Sequence, residues 1–323
     1  MKKIKWGIIG LGDIAHQFAS QFESAHAELA AVGSRTLQKA FDFSDKHGIN
    51  KAYGSYQELA YDPEIDIVYV ATPNSSHYKD MLMLLKAGKH VFCEKPIALN
   101  QKQLSTVLAL ADKKNLLVAE AMTIYHMPLF KELKNTIQTG KYGKVLRVHA
   151  SFGIKPPFDP ANRFYSPELG GGALLDIGVY PLSFIRYFLS SQPDAGSTTV
   201  KLNSTGVDEE STFSFSNRQG EVGTASLSFR SRMSNQGVIV CENARITVSN
   251  YPRATCARVT YTDGTFEDIK NGQSSRALTY EIDSISRTLL SESDLTSLSL
   301  TKDVNELINW AAEEWHMSWV FKD

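Results

Sequence analysis

Ile4-Lys5-Trp6-Gly7-Ile8-Ile9-Gly10-Leu11-Gly12-Asp13-Ile14-Ala15 is the stretch that decides the fold. Its first six residues form a short apolar run that reads as a buried strand. Its last six fit G-x-G-x-x-G/A, and Ile14, Phe18 and Phe22 continue at a helical spacing. Gly10 permits a tight turn, Gly12 lets the backbone approach a pyrophosphate, and Ala15 keeps helix and strand close. The helix start at Asp13 and Ile14 offers N–H groups and a positive dipole to phosphate. A bare motif is weak evidence. At the first strand-to-helix turn it indicates a dinucleotide site.

Working outward, Glu28 to Val32 reads as a second strand and Leu37 to His47 as a second helix. Ile65 to Ala71 is a β-branched run stopped by Pro73. Asn74 to Ala87 is helical and stops at Gly88. His90 to Cys93 reads as strand, Gln101 to Lys114 as helix, and Leu116 to Ala119 as strand. Such alternation implies βαβ units and a parallel sheet. After about residue 120 the pattern changes. Val145–Phe152, Thr198–Ser204, Ser211–Ser216 and Val222–Arg230 alternate apolar with polar, which suits an antiparallel sheet covered on one face. Gly171 to Leu189 reads as a buried helix, Asp303 to Trp319 as an amphipathic one, and the Ser-rich stretch 284–301 as helix and loop.

The chain has 323 residues, a length for two domains. Its 42% hydrophobic and 21% charged residues exclude wholesale disorder. Thirty-four basic against 35 acidic side chains argue against a nucleic-acid or anionic-membrane partner. No apolar run approaches the ~18 residues of a membrane span. The basic start, Met1-Lys2-Lys3, meets Gly7, Gly10, Gly12 and Asp13 too early for a signal sequence. Cys93, Cys241 and Cys256 are too few and scattered for a disulfide framework. The expectation is a cytoplasmic protein.

A site for NAD usually carries Asp or Glu at the end of the second strand, holding the ribose 2′-hydroxyl. Here the residues are Gly33-Ser34-Arg35-Thr36. Ser34 is small, Arg35 supplies a fork for a 2′-phosphate, and Lys39 follows one helical turn later. The cofactor expected is NADP, with NAD as the weaker option. Thr72-Pro73-Asn74, with His77, and Cys93-Glu94-Lys95-Pro96 each follow a strand at the carboxyl edge, where ligands of open α/β sheets bind. A lysine before proline is kept out of the helical region, which fixes its direction. In Gly170-Gly171-Gly172-Ala173-Leu174-Leu175-Asp176-Ile177-Gly178-Val179-Tyr180-Pro181, Asp176 and Tyr180 share one helix face. A core Asp–Tyr hydrogen bond is the structural alternative. The functional reading makes Tyr180 the acid/base for a substrate hydroxyl, with Asp176 and Lys95 tuning it. No H-E-x-x-H, Cys/His cluster or G-x-S-x-G is present, so neither metal nor hydrolase chemistry is expected.

Gly10-x-Gly12, Ala71-Thr72-Pro73-Asn74 with His77, Glu94-Lys95-Pro96, and Gly171–Tyr180 stand in the order of the Gfo/Idh/MocA oxidoreductase family, which this chain resembles over nearly its whole length. The Asp176 segment is most similar to the branch of dimeric dihydrodiol dehydrogenase, NADP-dependent xylose dehydrogenase and glucose–fructose oxidoreductase. The resemblance implies an α/β Rossmann domain with a parallel sheet over residues 1–121. It implies an α+β substrate-binding and oligomerisation domain, with an open, largely antiparallel sheet, over 122–323. It places Lys95, Asp176 and Tyr180 on the catalytic positions and makes the Lys95–Pro96 bond cis. It also puts Gly10, Gly12, Asp13, Ile14, Ser34, Arg35, Lys39, Thr72, Pro73, Asn74, His77, Glu94 and Lys95 against the cofactor. Dihydrodiol dehydrogenases carry Trp and Arg soon after the match to Glu120-Ala121-Met122. Here Thr123, Ile124, Tyr125 and His126 follow, which favours a sugar or other polyol over an aromatic dihydrodiol.

The function expected is hydride transfer between a nicotinamide and a sugar-like or polyol secondary alcohol. Tyr180 or Lys95 handles the proton, and the loop Pro156–Tyr165, with Arg163 and Tyr165, shapes the substrate site. Two alternatives within the family are a non-catalytic dinucleotide-binding regulator and an NAD-dependent glycosidase. On the strands 211–216 and 222–230, Thr212, Ser214, Ser216, Thr224, Ser226 and Ser228 alternate to one hydroxyl-rich face. With little charge to solvate it, that face is expected to join copies into a homodimer or homotetramer.

Overall fold

The computed structural model describes residues 3–290 and 293–321. Met1 and Lys2 of the basic start, and residues 291 and 292 of the Ser-rich stretch, lie outside the described residues. The elements in chain order begin β1 (Ile4–Ile9), α1 (Asp13–Ser20), β2 (Ala27–Gly33), α2 (Leu37–His47), β3 (Lys51–Tyr53), α3 (Tyr56–Tyr61), β4 (Ile67–Val70) and α4 (Asn74–Lys86). There follow β5 (His90–Glu94), α5 (Gln101–Lys114), β6 (Val118–Ala121), α6 (Thr123–His126), α7 (Pro128–Gln138), β7 (Val145–Gly153) and α8 (Val179–Phe188). The rest are β8 (Ala195–Leu202), β9 (Asp208–Ser216), β10 (Val222–Ser228), β11 (Gln236–Cys241), β12 (Ala244–Ser249), β13 (Cys256–Tyr261), β14 (Phe266–Lys270), α9 (Ala277–Leu289) and α10 (Leu298–Glu314).

The chain folds as two compact units, Met1–Met122 with Ser275–Leu298, and Thr123–Ser274 with Ser299–Asp323. Beyond the expected span 1–121, residues 275–298 return to the first unit. The reason is packing. Leu278, Ile282 and Ile285 of α9 join the apolar cluster of Trp6, Phe18, Tyr69 and Phe92, and the Trp6 indole donates to Ser286 Oγ at 3.0 Å.

The first unit is a six-stranded sheet in the order β3-β2-β1-β4-β5-β6, with every pair parallel. All four residues of β4 are buried, as a strand covered on both faces requires. Strand order reverses beside β1, which lies between β2 and β4. That is the switch point where a crevice opens outside the carboxyl ends of the strands.

The second unit is an eight-stranded sheet in the order β14-β13-β12-β11-β7-β10-β9-β8, parallel only between β7 and β10. Strands were expected only as far as Arg230; β11 to β14 extend the sheet. Phe213, Phe215, Ala225, Leu227 and Phe229 are buried on one face, and the Phe215 ring meets Trp310 at 5.9 Å. On the other face Thr212 and Ser214 are exposed and Thr224 and Ser226 half-buried. Ser228 is a correction: it is fully buried, its Oγ accepting the backbone N–H of Arg230 and Ser231. Among the described residues no helix is long and apolar enough to cross a membrane, and no group of three or more His, Cys, Asp or Glu could hold a metal.

Candidate functional site

In the first unit the candidate residues gather at the carboxyl ends of β1, β2, β4 and β5. Gly10 leaves β1 with φ +83°, and a Cβ there would lie 2.4 Å from the Ala71 carbonyl carbon and 2.5 Å from Thr72 N. Only glycine fits between the two exits of β1 and β4. Gly12 differs. Its φ of −94° is open to any residue, and a Cβ there meets nothing within 4 Å. The room beside Gly12 belongs to no protein atom. Gly12 also stands at the N-terminus of α1, where no side-chain cap holds the first-turn N–H groups among the described residues. Uncapped donors, a helix dipole and open space beside a glycine fit a phosphate group. Ala15 is fully buried, as close helix packing demands.

At the end of β2, Ser34 is buried, its N–H bonded to Tyr53 O at 3.1 Å. Arg35 and Lys39 are exposed, and Arg35 makes no hydrogen bond or ion pair among the described residues. After β4, Thr72 Oγ1 donates to Asp80 Oδ2 at 2.7 Å, while Pro73 and Asn74 open α4. At the end of β5, Glu94 accepts the hydroxyl of the buried Tyr69 and, at 3.3 Å, the N–H of Lys95. Burial and the Glu94 charge push the Tyr69 phenol well up, so it stays protonated and donates. The Lys95–Pro96 peptide is cis, and Lys95 is half-buried.

His77, expected against the cofactor, lies in α4. It is fully buried, with Nδ1 2.9 Å from Pro96 O and Nε2 2.8 Å from Thr72 O. Its ring ties the loop after β4 to the loop after β5. Burial lowers its pKa, and the two carbonyls oppose that shift.

In the second unit, the helix read from Gly171 to Leu189 is not uniform. Leu174–Gly178 form a π-helical turn that holds Asp176, and α8 then carries Tyr180. Pro181 has no N–H to give the Ile177 carbonyl, so the α-helical ladder is interrupted there. Turns of this kind recur at functional sites. Asp176 is buried and paired with Arg163, whose Nη1 lies 2.8 Å from Oδ1. The Arg163 guanidinium lies over the Phe164 ring at 4.2 Å and stays largely exposed. Tyr180 is half-buried and stacks on Phe152, with centroids 5.4 Å apart and planes 15° apart. Tyr251 meets the other side of this cluster, 6.2 Å from Phe152. Burial, with the Tyr180 phenol, pushes the Tyr251 hydroxyl well up.

Tyr165, read as a substrate contact, lies in the same loop as Arg163. It is buried against Phe158 at 5.0 Å and Phe229 at 5.7 Å, with its hydroxyl 3.4 Å from Pro156 O. It braces the loop from within. Arg163 alone of that pair faces outward. Phe152 and Tyr251, the ring partners beside Tyr180, are absent from the sequence reading. Alternation along β7 carries a signal for the first, and nothing local marks the second.

The model described as "Oxidoreductase family, NAD-binding Rossmann fold" matches residues 4–122, and the GFO/IDH/MocA C-terminal domain model matches residues 130–247. Trans-1,2-dihydrobenzene-1,2-diol dehydrogenase of Xenopus laevis is 39% identical over 209 residues, 64% of this chain and 63% of that protein. The chain thus spans less than two thirds of that relative's length. D-xylose 1-dehydrogenase (NADP(+)) of Hypocrea jecorina is 34% identical over 256 residues, 70% of this chain and 66% of that protein. The aldose-aldose oxidoreductase of Caulobacter crescentus shares the fold, with a TM-score of 0.86 at 24% identity over 97% of this chain and 98% of its own. Two family models in chain order, over a glycine turn, a Glu94-Lys95-Pro96 strand end and the Asp176–Tyr180 segment, lead to one assignment: the chain belongs to the Gfo/Idh/MocA oxidoreductase family.

Proposed function

We propose that this protein is an NADP-dependent oxidoreductase that moves a hydride between the nicotinamide and a secondary alcohol of a sugar or polyol. The observation that carries the reading is the open flank of Gly12 beside the uncapped start of α1, followed at the end of β2 by an exposed, unpaired Arg35 where a carboxylate would serve NAD. The nicotinamide, when bound, supplies the hydride acceptor or donor. The chain's own residues do the rest. Gly10, Gly12, Asp13 and Ile14 cradle the pyrophosphate on backbone N–H groups. Ser34 leaves room for the 2′-phosphate, and Arg35 and Lys39 neutralise it. Thr72, Pro73, Asn74 and Glu94 line the cofactor side of the crevice, with His77 holding their loops from below. Tyr180 or Lys95 exchanges the hydroxyl proton, and Asp176, held by Arg163, stands four residues before Tyr180 to orient it.

Support for substrate class comes from the relatives, one named for a diol and one for D-xylose and NADP(+). One name specifies a 1,2-diol and the other carbon 1 of a sugar, and Thr123–His126 in place of Trp and Arg favours the sugar. The cytoplasm is the proposed location. The hydroxyl-rich face of β9 and β10 is proposed to join two or four copies. Light scattering should then give at least twice the 35.9 kDa chain mass, and Thr212→Lys with Ser226→Lys should give monomer. A monomeric wild type ends that part of the proposal.

The functional test is a panel of aldoses, polyols and diols with NADP or NAD, read at the absorbance of the reduced nicotinamide. Turnover with NADP and a sugar is the expected result. Release of free sugar from a glycoside without net reduction would point to the glycosidase. Nucleotide binding with no turnover on the whole panel would point to the regulator.

A further inference from the structure

Asp208 opens β9 and is fully buried. Carboxylates are seldom buried without a partner cation, yet the influences on this one are burial and backbone N–H groups alone. Its Oδ2 accepts the N–H of Leu174 at 2.8 Å. Leu174 begins the π turn that carries Asp176 and leads into α8 with Tyr180. Ala173, just before it, offers that turn no capping side chain. The first N–H groups of a helix need acceptors from elsewhere, and a carboxylate there also meets the positive end of the dipole.

The backbone is shaped around the same carboxylate. Gly172 has φ +104°, and a Cβ there would lie 2.4 Å from Asp208 Oδ1. That oxygen has no hydrogen-bond partner among the described residues. Burial pushes the Asp208 pKa up to about 7. A neutral hydroxyl would satisfy Leu174 without burying an acid, so stability alone is a poor reason for this residue.

We propose that Asp208 is a positioning residue of the reaction: it pins the first turn of the helix that bears Asp176 and Tyr180. It acts through Leu174 and touches no reacting atom. This inference rests on the proposed function. The bond needs only an acceptor oxygen, so Asp208→Asn keeps it and Asp208→Ala removes it.

The experiment uses the full chain, NADP and the best substrate of the panel. Asp208→Ala should lower kcat about tenfold, the scale of one well-aimed hydrogen bond, and leave KM for NADP within about twofold. Asp208→Asn should restore kcat to within about threefold of wild type. Amide exchange at Leu174 should quicken in Asp208→Ala and stay slow in Asp208→Asn. If Asp208→Ala does not fold, Asp208→Leu keeps the volume without the acceptor and takes its place. An unchanged kcat in the variant lacking the acceptor overturns the inference, as does equal loss in the Asn variant. Should wild type turn over nothing, the proposed function has failed by itself. Exchange at Leu174 then decides the pin: slow in both variants overturns it, quickened in Asp208→Ala alone upholds it.

Discussion

Gly10→Ala and Gly12→Ala should separate two tasks that the first turn combines. At Gly10 the new Cβ would lie 2.4 Å from the Ala71 carbonyl carbon and 2.5 Å from Thr72 N, at φ +83°. Both neighbours are backbone at the end of a buried strand and have no rotamer through which to yield. A left-handed φ costs an L-residue about 1–2 kcal/mol, and forcing a methyl into filled space costs about 1–3 kcal/mol more. Gly10→Ala should therefore lose roughly 2–5 kcal/mol of stability. At Gly12, φ −94° and ψ −169° suit alanine, and the Cβ meets nothing within 4 Å. Alanine there should be neutral, or stabilising by about 0.4–1 kcal/mol through a less flexible unfolded chain. The same methyl stands where the pyrophosphate approaches the backbone. An overpacking cost of about 1–3 kcal/mol weakens dinucleotide binding roughly 5- to 150-fold. Urea melts without nucleotide give the first quantity, and titration calorimetry with NADP the second. Wild-type affinity in Gly12→Ala, or a loss of stability there equal to that of Gly10→Ala, would refute the reasoning.

Arg35 makes no hydrogen bond or ion pair among the described residues, so the Arg35→Ala melt should match wild type while NADP binding weakens by about 1.5–3 kcal/mol and NAD binding holds; calorimetry with both nucleotides checks this, and tighter NAD binding by wild type contradicts it. Tyr180→Phe should keep NADP affinity and lower kcat by roughly 10²–10⁴, with Lys95→Ala doing at least as much damage; near-normal turnover in both removes their assignment. His126 is fully buried, both ring nitrogens lack partners among the described residues, and burial lowers its pKa to about 3. The unfolded chain takes up its proton below about 6.5, so this group's stability is complete above that pH and is lost as pH falls toward 3, at up to about 1.4 kcal/mol per pH unit. His126→Gln should flatten that acid limb in urea midpoints measured against pH, and an unchanged limb would count against it.

Legibility followed the local physics. The ends of α2 and α5 can be read from sequence because left-handed residues stop them, Gly48 at φ +66° and Asn115 at φ +54°, and because Asn100 caps α5 through the Gln103 N–H. The three residues of β3 are too few to hold a period. In β13 the alternation is present, with Ala257 buried and Arg258 exposed, but its hydroxyl and charged residues mask the strand in composition. The glycine turn is legible because each glycine answers a separate demand. His77 and Tyr165 are not, because a polar ring beside a site reads the same whether it faces a ligand or props the loop behind it. Return of α9 to the first unit is set by Leu278, Ile282 and Ile285 meeting Trp6, a long-range contact that no local window contains.

The central claim is hydride transfer to NADP from an alcohol carbon, and isotope tracing measures it directly. A sugar that the panel identifies, deuterated at the reacting carbon, would be turned over with NADP, and the NADPH formed would be isolated and weighed by mass spectrometry. The account predicts NADPH heavier by one deuterium, a slower rate than with the protiated sugar, and slower formation of the same labelled NADPH in Tyr180→Phe. NADPH without deuterium, or product formed with no reduction of NADP, would contradict it.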